Sequence, residues 1–138
     1  MAGLALTSLL LLSSGTEADD EIDALRHFVI GQYQLIGRAP DADTTYQGTL
    51  TISPGPQALK VERYVNGQRR QGVADIETAL HGEAKVLRMR YVEGGIEYEN
   101  TCLLQADLDN YARISCFRYR QDGTTRQPGL EALFIVQE

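Results

Sequence analysis

The sequence predicts an all-β protein, an eight-stranded antiparallel up-and-down barrel with a short N-terminal helix. Turn-forming clusters recur at near-regular intervals: Ala39-Pro40-Asp41, Pro54-Gly55-Pro56, Asn66-Gly67, His81-Gly82, Gly94-Gly95, residues 107–110, Asp122-Gly123 and Pro128-Gly129. The runs between them alternate or are rich in β-formers, the rhythm of hairpin-linked strands. The only two cysteines, Cys102 and Cys116, lie at equal distances from Asp109, so a hairpin folded there sets them face to face. Eight hairpin-linked strands can close on themselves and leave no unpaired edge. A two-sheet sandwich is the alternative.

The elements follow in chain order. Gly3 to Leu12 is apolar apart from Thr7 and Ser8, and Thr16-Glu17-Ala18 precedes the acidic run Asp19-Asp20-Glu21. This reads as residues 1–18 forming a secretory signal peptide cleaved after Ala18, although no Lys or Arg precedes the apolar run. That run is too short to span a bilayer. Residues 19–138 then form a single β-barrel domain. It opens with a helix over about 20–30, where Ile22, Leu25, Phe28 and Val29 recur at helical spacing after acidic first-turn residues.

Strands are predicted at 32–38, 46–53, 57–65, 70–78, 85–92, 96–105, 111–121 and 130–137. The stretch 73–81 fits two patterns. Val73, Ile76 and Leu80 make a helical stripe, whereas Ala74, Ile76, Thr78 and Leu80 alternate as in a strand. The flanking strands and short connections favour the strand.

A Cys102–Cys116 disulfide closes a loop of roughly 15 residues, worth about 3 kcal/mol in the chain-entropy model. It places the protein in an oxidising compartment, periplasmic or secreted. The formal charge of −6 argues against a general nucleic-acid binder, which needs a basic surface. No cofactor is expected.

The disulfide sets a register in which Cys116 faces Cys102, Ile114 faces Leu104, Arg118 faces Asn100 and Arg120 faces Tyr98. The apolar end and the disulfide point inward, so Arg118 and Arg120 share the inner face toward one mouth. On strand 57–65 the inward set Leu59, Val61 continues to Arg63, and Tyr33 and Tyr46 lie on the inner faces of the first two strands. Guanidinium groups pair bidentately with carboxylates and phosphates. Arg63, Arg118, Arg120, Tyr33 and Tyr98 are therefore the candidate ligand-binding residues. Few inward acids are evident on those strands, and surface pairing of the arginines with Glu62, Glu97 or Glu99 is the competing expectation.

Other chemistries fit less well. Asp107, Asp109 and Asn110 alternate oxygen atoms, but the glycine and distal glutamate of a calcium loop are missing. His27 and His81 have no Cys or Ser partner at a recognisable spacing, and no nucleophile elbow is present. Catalysis and metal binding are not expected.

The short helix, Gly31-Gln32-Tyr33 on the first strand, and Asp109-Asn110-Tyr111-Ala112 between the sixth and seventh strands resemble the lipocalin-like (calycin) barrels. Tyr33 stands where that family has tryptophan, Asn110 separates the acid from the tyrosine, and no arginine closes the last strand. The resemblance implies binding of a small ligand. Two roles follow as expectations: a barrel holding a small amphipathic or anionic ligand, or an interaction module for an exported protein partner, such as an envelope accessory protein or hydrolase inhibitor.

Overall fold

The computed structural model describes Gly3 and residues 15–104 and 113–136. Helix α1 (Gly15–Val29) leads into β1 (Gly31–Arg38), β2 (Thr45–Pro54), β3 (Leu59–Val65) and β4 (Gln68–Ala79). A short 3-10 turn (Leu80–Gly82) precedes β5 (Ala84–Glu93), β6 (Ile96–Leu103), β7 (Arg113–Arg120) and β8 (Gly129–Ile135). Each strand pairs antiparallel with the next, and β1 pairs with β8, closing the barrel in sequence order. All eight predicted strands are present, and the sandwich is excluded. The ambiguous stretch is strand as far as Ala79, where pairing with β5 continues, and becomes the 3-10 turn only beyond it. Most of the predicted signal segment and residues 105–112, which carry the Asp-Asn-Tyr sequence, lie outside the described residues.

Hairpin chemistry sets the registers. Asn66 (φ 52°) and Gly67 (φ 74°) join β3 to β4, and Gly94 (φ 59°) and Gly95 (φ 76°) join β5 to β6. Positive φ at both central residues is the turn whose twist matches its flanking strands. On β6 and β7, Cys102 faces Cys116, Asn100 faces Arg118 and Tyr98 faces Arg120, as the cysteine spacing predicts. The Cys102–Cys116 disulfide is formed.

Inward residues of alternate rungs fill the lower barrel. Leu35, Leu50, Ile52, Val61, Leu87, Met89, Leu133 and the disulfide are buried. Helix α1 closes this end, with Val29 fully buried and Ile22, Leu25 and Ile30 packed on the core. Arg26 anchors the helix to β4 by two hydrogen bonds to Asp75, Nε at 2.7 Å and Nη2 at 3.1 Å. The outer surface carries charge pairs such as Glu62–Arg69, Glu77–Arg88 and Glu99–Arg90. Apolar inside and charged outside is the reverse of a membrane-spanning barrel. No helix among the described residues is long and apolar enough to cross a membrane.

Candidate functional site

Toward the end opposite α1, the inward positions change from apolar to polar. Continuing each strand's alternation past the core places Tyr46 on β2, Arg63 on β3, Tyr91 and Glu93 on β5, Tyr98 and Asn100 on β6, Arg118 on β7 and Glu131 on β8. A lone buried guanidinium is very costly, so each inward arginine needs a partner.

For Arg63 that partner is Glu131. Nη1 and Nη2 of Arg63 donate to Oε1 and Oε2 of Glu131, each at 2.7 Å, and the two residues are each 2% exposed. Asn100 Nδ2 donates to Oε1 at 2.7 Å, and the Tyr46 hydroxyl donates to Oε2. Glu131 therefore accepts four hydrogen bonds. The Tyr91 hydroxyl donates to Asn100 Oδ1 at 3.2 Å, while the Tyr91 ring lies under Arg63, 4.4 Å from its guanidinium carbon. The acids that meet the inward arginines stand on other strands, Glu93 at the end of β5 and Glu131 on β8.

Charge states follow from this arrangement. Burial alone would push the Glu131 carboxyl up, but the Arg63 charge and hydrogen bonds from Arg63 and Tyr46 outweigh it, holding Glu131 below the ordinary glutamate value. Burial likewise opposes the charge on Arg63, and Glu131 more than offsets it. Burial, reinforced by Glu131, pushes Tyr46 well above the usual tyrosine value, so it remains a neutral donor.

Gly37 makes room for Tyr46. The two face each other across β1 and β2, and a Cβ at position 37 would run into the Tyr46 ring. Substituting Gly37 would therefore move the hydroxyl that links Glu131 to Arg118.

Arg118 forms the next layer outward. Its Nη1 donates to the Tyr46 hydroxyl at 3.1 Å and its Nη2 to Glu93 Oε2 at 2.9 Å. The guanidinium lies 4.3 Å from the Tyr98 ring centroid, and Tyr98 stacks on Tyr91 with centroids 5.9 Å apart. Arg63 and Arg118 thus bracket two tyrosines, a cation–π arrangement strengthened by exclusion of water. The Nε atoms of Arg63 and Arg118 are buried and have no hydrogen-bond partner among the described residues.

Above this layer lies a cavity of about 280 Å³, lined by Tyr46, Arg63, Glu93, Tyr98, Arg118 and Arg120 together with loop residues including Asp41 and Asn66. Four of the five sequence-predicted site residues, Arg63, Tyr98, Arg118 and Arg120, converge here. Arg120 is exposed at the rim, whereas Arg118 is buried. Tyr33 does not join them. It is inward as expected, but its hydroxyl donates to the Val29 carbonyl at 2.8 Å and ties β1 to the end of α1.

Glu131 was hidden in the sequence because its strand carries an apolar set on each parity. Leu130, Ala132 and Phe134 alternate with Glu131, Leu133 and Ile135, and the first set looks more core-like. The Gly129-x-Glu131 spacing gives no further signal. His27 and His81 are both exposed, and no group of three metal-ligating side chains occurs among the described residues. No protein-family model matches the chain, and no curated protein sequence is significantly similar to it.

Proposed function

We propose that this chain is an exported, lipocalin-like binding barrel whose mouth holds the carboxylate or phosphate group of a small ligand. The observation that carries this reading is Arg118, a residue 5% exposed that lines the cavity and whose buried Nε has no partner among the described residues. Arg120 follows on the same face and supplies a second, exposed cation at the rim. The cavity is near the lower end of the range for small-molecule pockets, roughly 300–1,000 Å³. Beneath it Leu35, Leu50, Leu87 and Leu133 fill the lumen, so a ligand sits in the mouth and any apolar part stays near the rim. The buried disulfide fits an oxidising compartment. Binding, not catalysis, is the role this arrangement suits.

Titration of 15N-labelled protein with succinate and with inorganic phosphate tests the reading. Shifts should concentrate on Tyr98, Arg118 and Arg120, and Arg118→Ala should weaken binding by about tenfold or more, the loss of one charge-assisted contact. Unchanged affinity in Arg118→Ala, or shifts confined to another face, would remove its basis. Native mass spectrometry of protein purified from its own envelope would identify a retained ligand.

A second reading rests on a different surface. Ile36, Phe117, Leu130 and Phe134 are exposed on the outer faces of adjoining strands β1, β8 and β7. Contiguous apolar patches of this kind mark protein interaction sites, which favours an exported protein partner. Ser substitutions at Phe117 and Phe134 would abolish partner capture while leaving succinate and phosphate titrations unchanged.

A further inference from the structure

We propose that Glu93 is a built-in competitor for the anion site: its carboxylate occupies Arg118 and must move aside before a ligand anion can bind. The inference rests on the mouth being an anion site and adds how access to it is regulated. Arg118 has one carboxylate partner among the described residues, Glu93, at 2.9 Å. Burial of the pair is unequal. The Arg118 side chain is 7% exposed and that of Glu93 is 37% exposed. The acid therefore sits on the cavity side, where water can receive it.

The two acids of the mouth differ in how firmly they are held. Glu131 accepts four hydrogen bonds from three different strands and cannot leave without stranding Arg63. Among the described residues Glu93 accepts one, from Arg118, and it ends β5 immediately before the Gly94-Gly95 turn. The guanidinium does not depend on Glu93 for its position, because Tyr46 receives its Nη1 and Tyr98 underlies it. Displacement of Glu93 would leave a pre-positioned guanidinium beside Arg120. The other acid of the cavity, Asp41, is already engaged by the backbone N–H groups of Arg126 and Gln127.

Replacing one carboxylate by another on the same guanidinium conserves charge pairing. The apparent affinity is then reduced by the fraction of molecules in which Glu93 has moved aside. Removing the competitor should raise affinity without altering the rest of the mouth.

The test measures succinate and inorganic phosphate binding to wild type, Glu93→Ala, Glu93→Gln and Glu93→Ala/Arg118→Ala by the backbone amide shifts of Tyr98 and Arg120, with the Arg118 Nε–H resonance followed in the three proteins that keep Arg118. Glu93→Ala should bind at least about tenfold more tightly than wild type, the weight of one charge-assisted hydrogen bond. Glu93→Gln, which keeps the shape and loses the charge, should fall between, and it replaces the alanine variant if that one does not fold. The double variant should lose the gain. Binding by Glu93→Ala alone, with none to wild type, supports the competitor equally. Wild-type binding with equal or weaker affinity in both Glu93 variants overturns the competitor and leaves the anion site standing. No binding to wild type or to either Glu93 variant overturns both.

Discussion

Arg63 and Glu131 make a two-pronged ion pair inside the barrel, with two 2.7 Å hydrogen bonds between strands that are not neighbours. Sixty-eight positions separate them in the chain. They meet because the closed, curved sheet brings β3 and β8 face to face across the lumen. Asn100 and Tyr46 satisfy the remaining acceptor sites of Glu131, so the pair is embedded in a network rather than isolated. Such a pair gives weak net stability against a hydrophobic replacement, yet breaking one side of it is severe.

The first expectation concerns that asymmetry. Arg63→Met and Glu131→Gln should each destabilise the protein by about 3–5 kcal/mol in urea denaturation. The double variant should cost clearly less than the sum, because neither charge is then left alone. Additive losses would show that the two side chains do not act as a pair.

Acid stability should report Glu131 directly. Its carboxyl is depressed in the folded state, so the unfolded chain takes up its proton first as pH falls. The stabilisation is therefore complete above the ordinary glutamate value of about 4.3, and is lost as pH drops through the lower folded value. Glu131→Gln should be less stable at neutral pH and lose stability less steeply below about pH 4. Parallel curves for the two proteins would contradict this.

The disulfide provides a third expectation. Both cysteines are paired, so thiol titration of unfolded, unreduced protein should find no free thiol. Cys116→Ser should cost about 2–5 kcal/mol, as in small secreted domains.

Gly37→Ala tests how the mouth is positioned. The added methyl collides with the Tyr46 ring and displaces the hydroxyl that joins Glu131 to Arg118. A loss of about 1–3 kcal/mol is expected, typical of overpacking. The Arg118 Nε–H resonance should shift as well. A stability change without that shift would separate Gly37 from the mouth.

Processing is the last expectation. On the proposed export, intact-mass measurement of protein recovered outside the cytoplasm should give a mature N-terminus at Asp19. A mass retaining residues 4–12 would contradict it.

Strand count, antiparallel order and the β6–β7 register were determined by the sequence alone. Turn residues act locally, and two cysteines equidistant from one turn leave a single register in which they can bridge. The inward course of Arg63, Arg118 and Tyr33 follows from the same two-residue alternation. Tertiary structure decided what those inward groups meet. Tyr33 went to the helix-capped end because β1 passes beneath Val29 there, and Arg120 reached the rim because β7 ends at it. Above all, closure paired Arg63 with Glu131. Alternation tells which face of a strand a side chain occupies, but only the curvature of the closed sheet sets which faces oppose each other across the lumen.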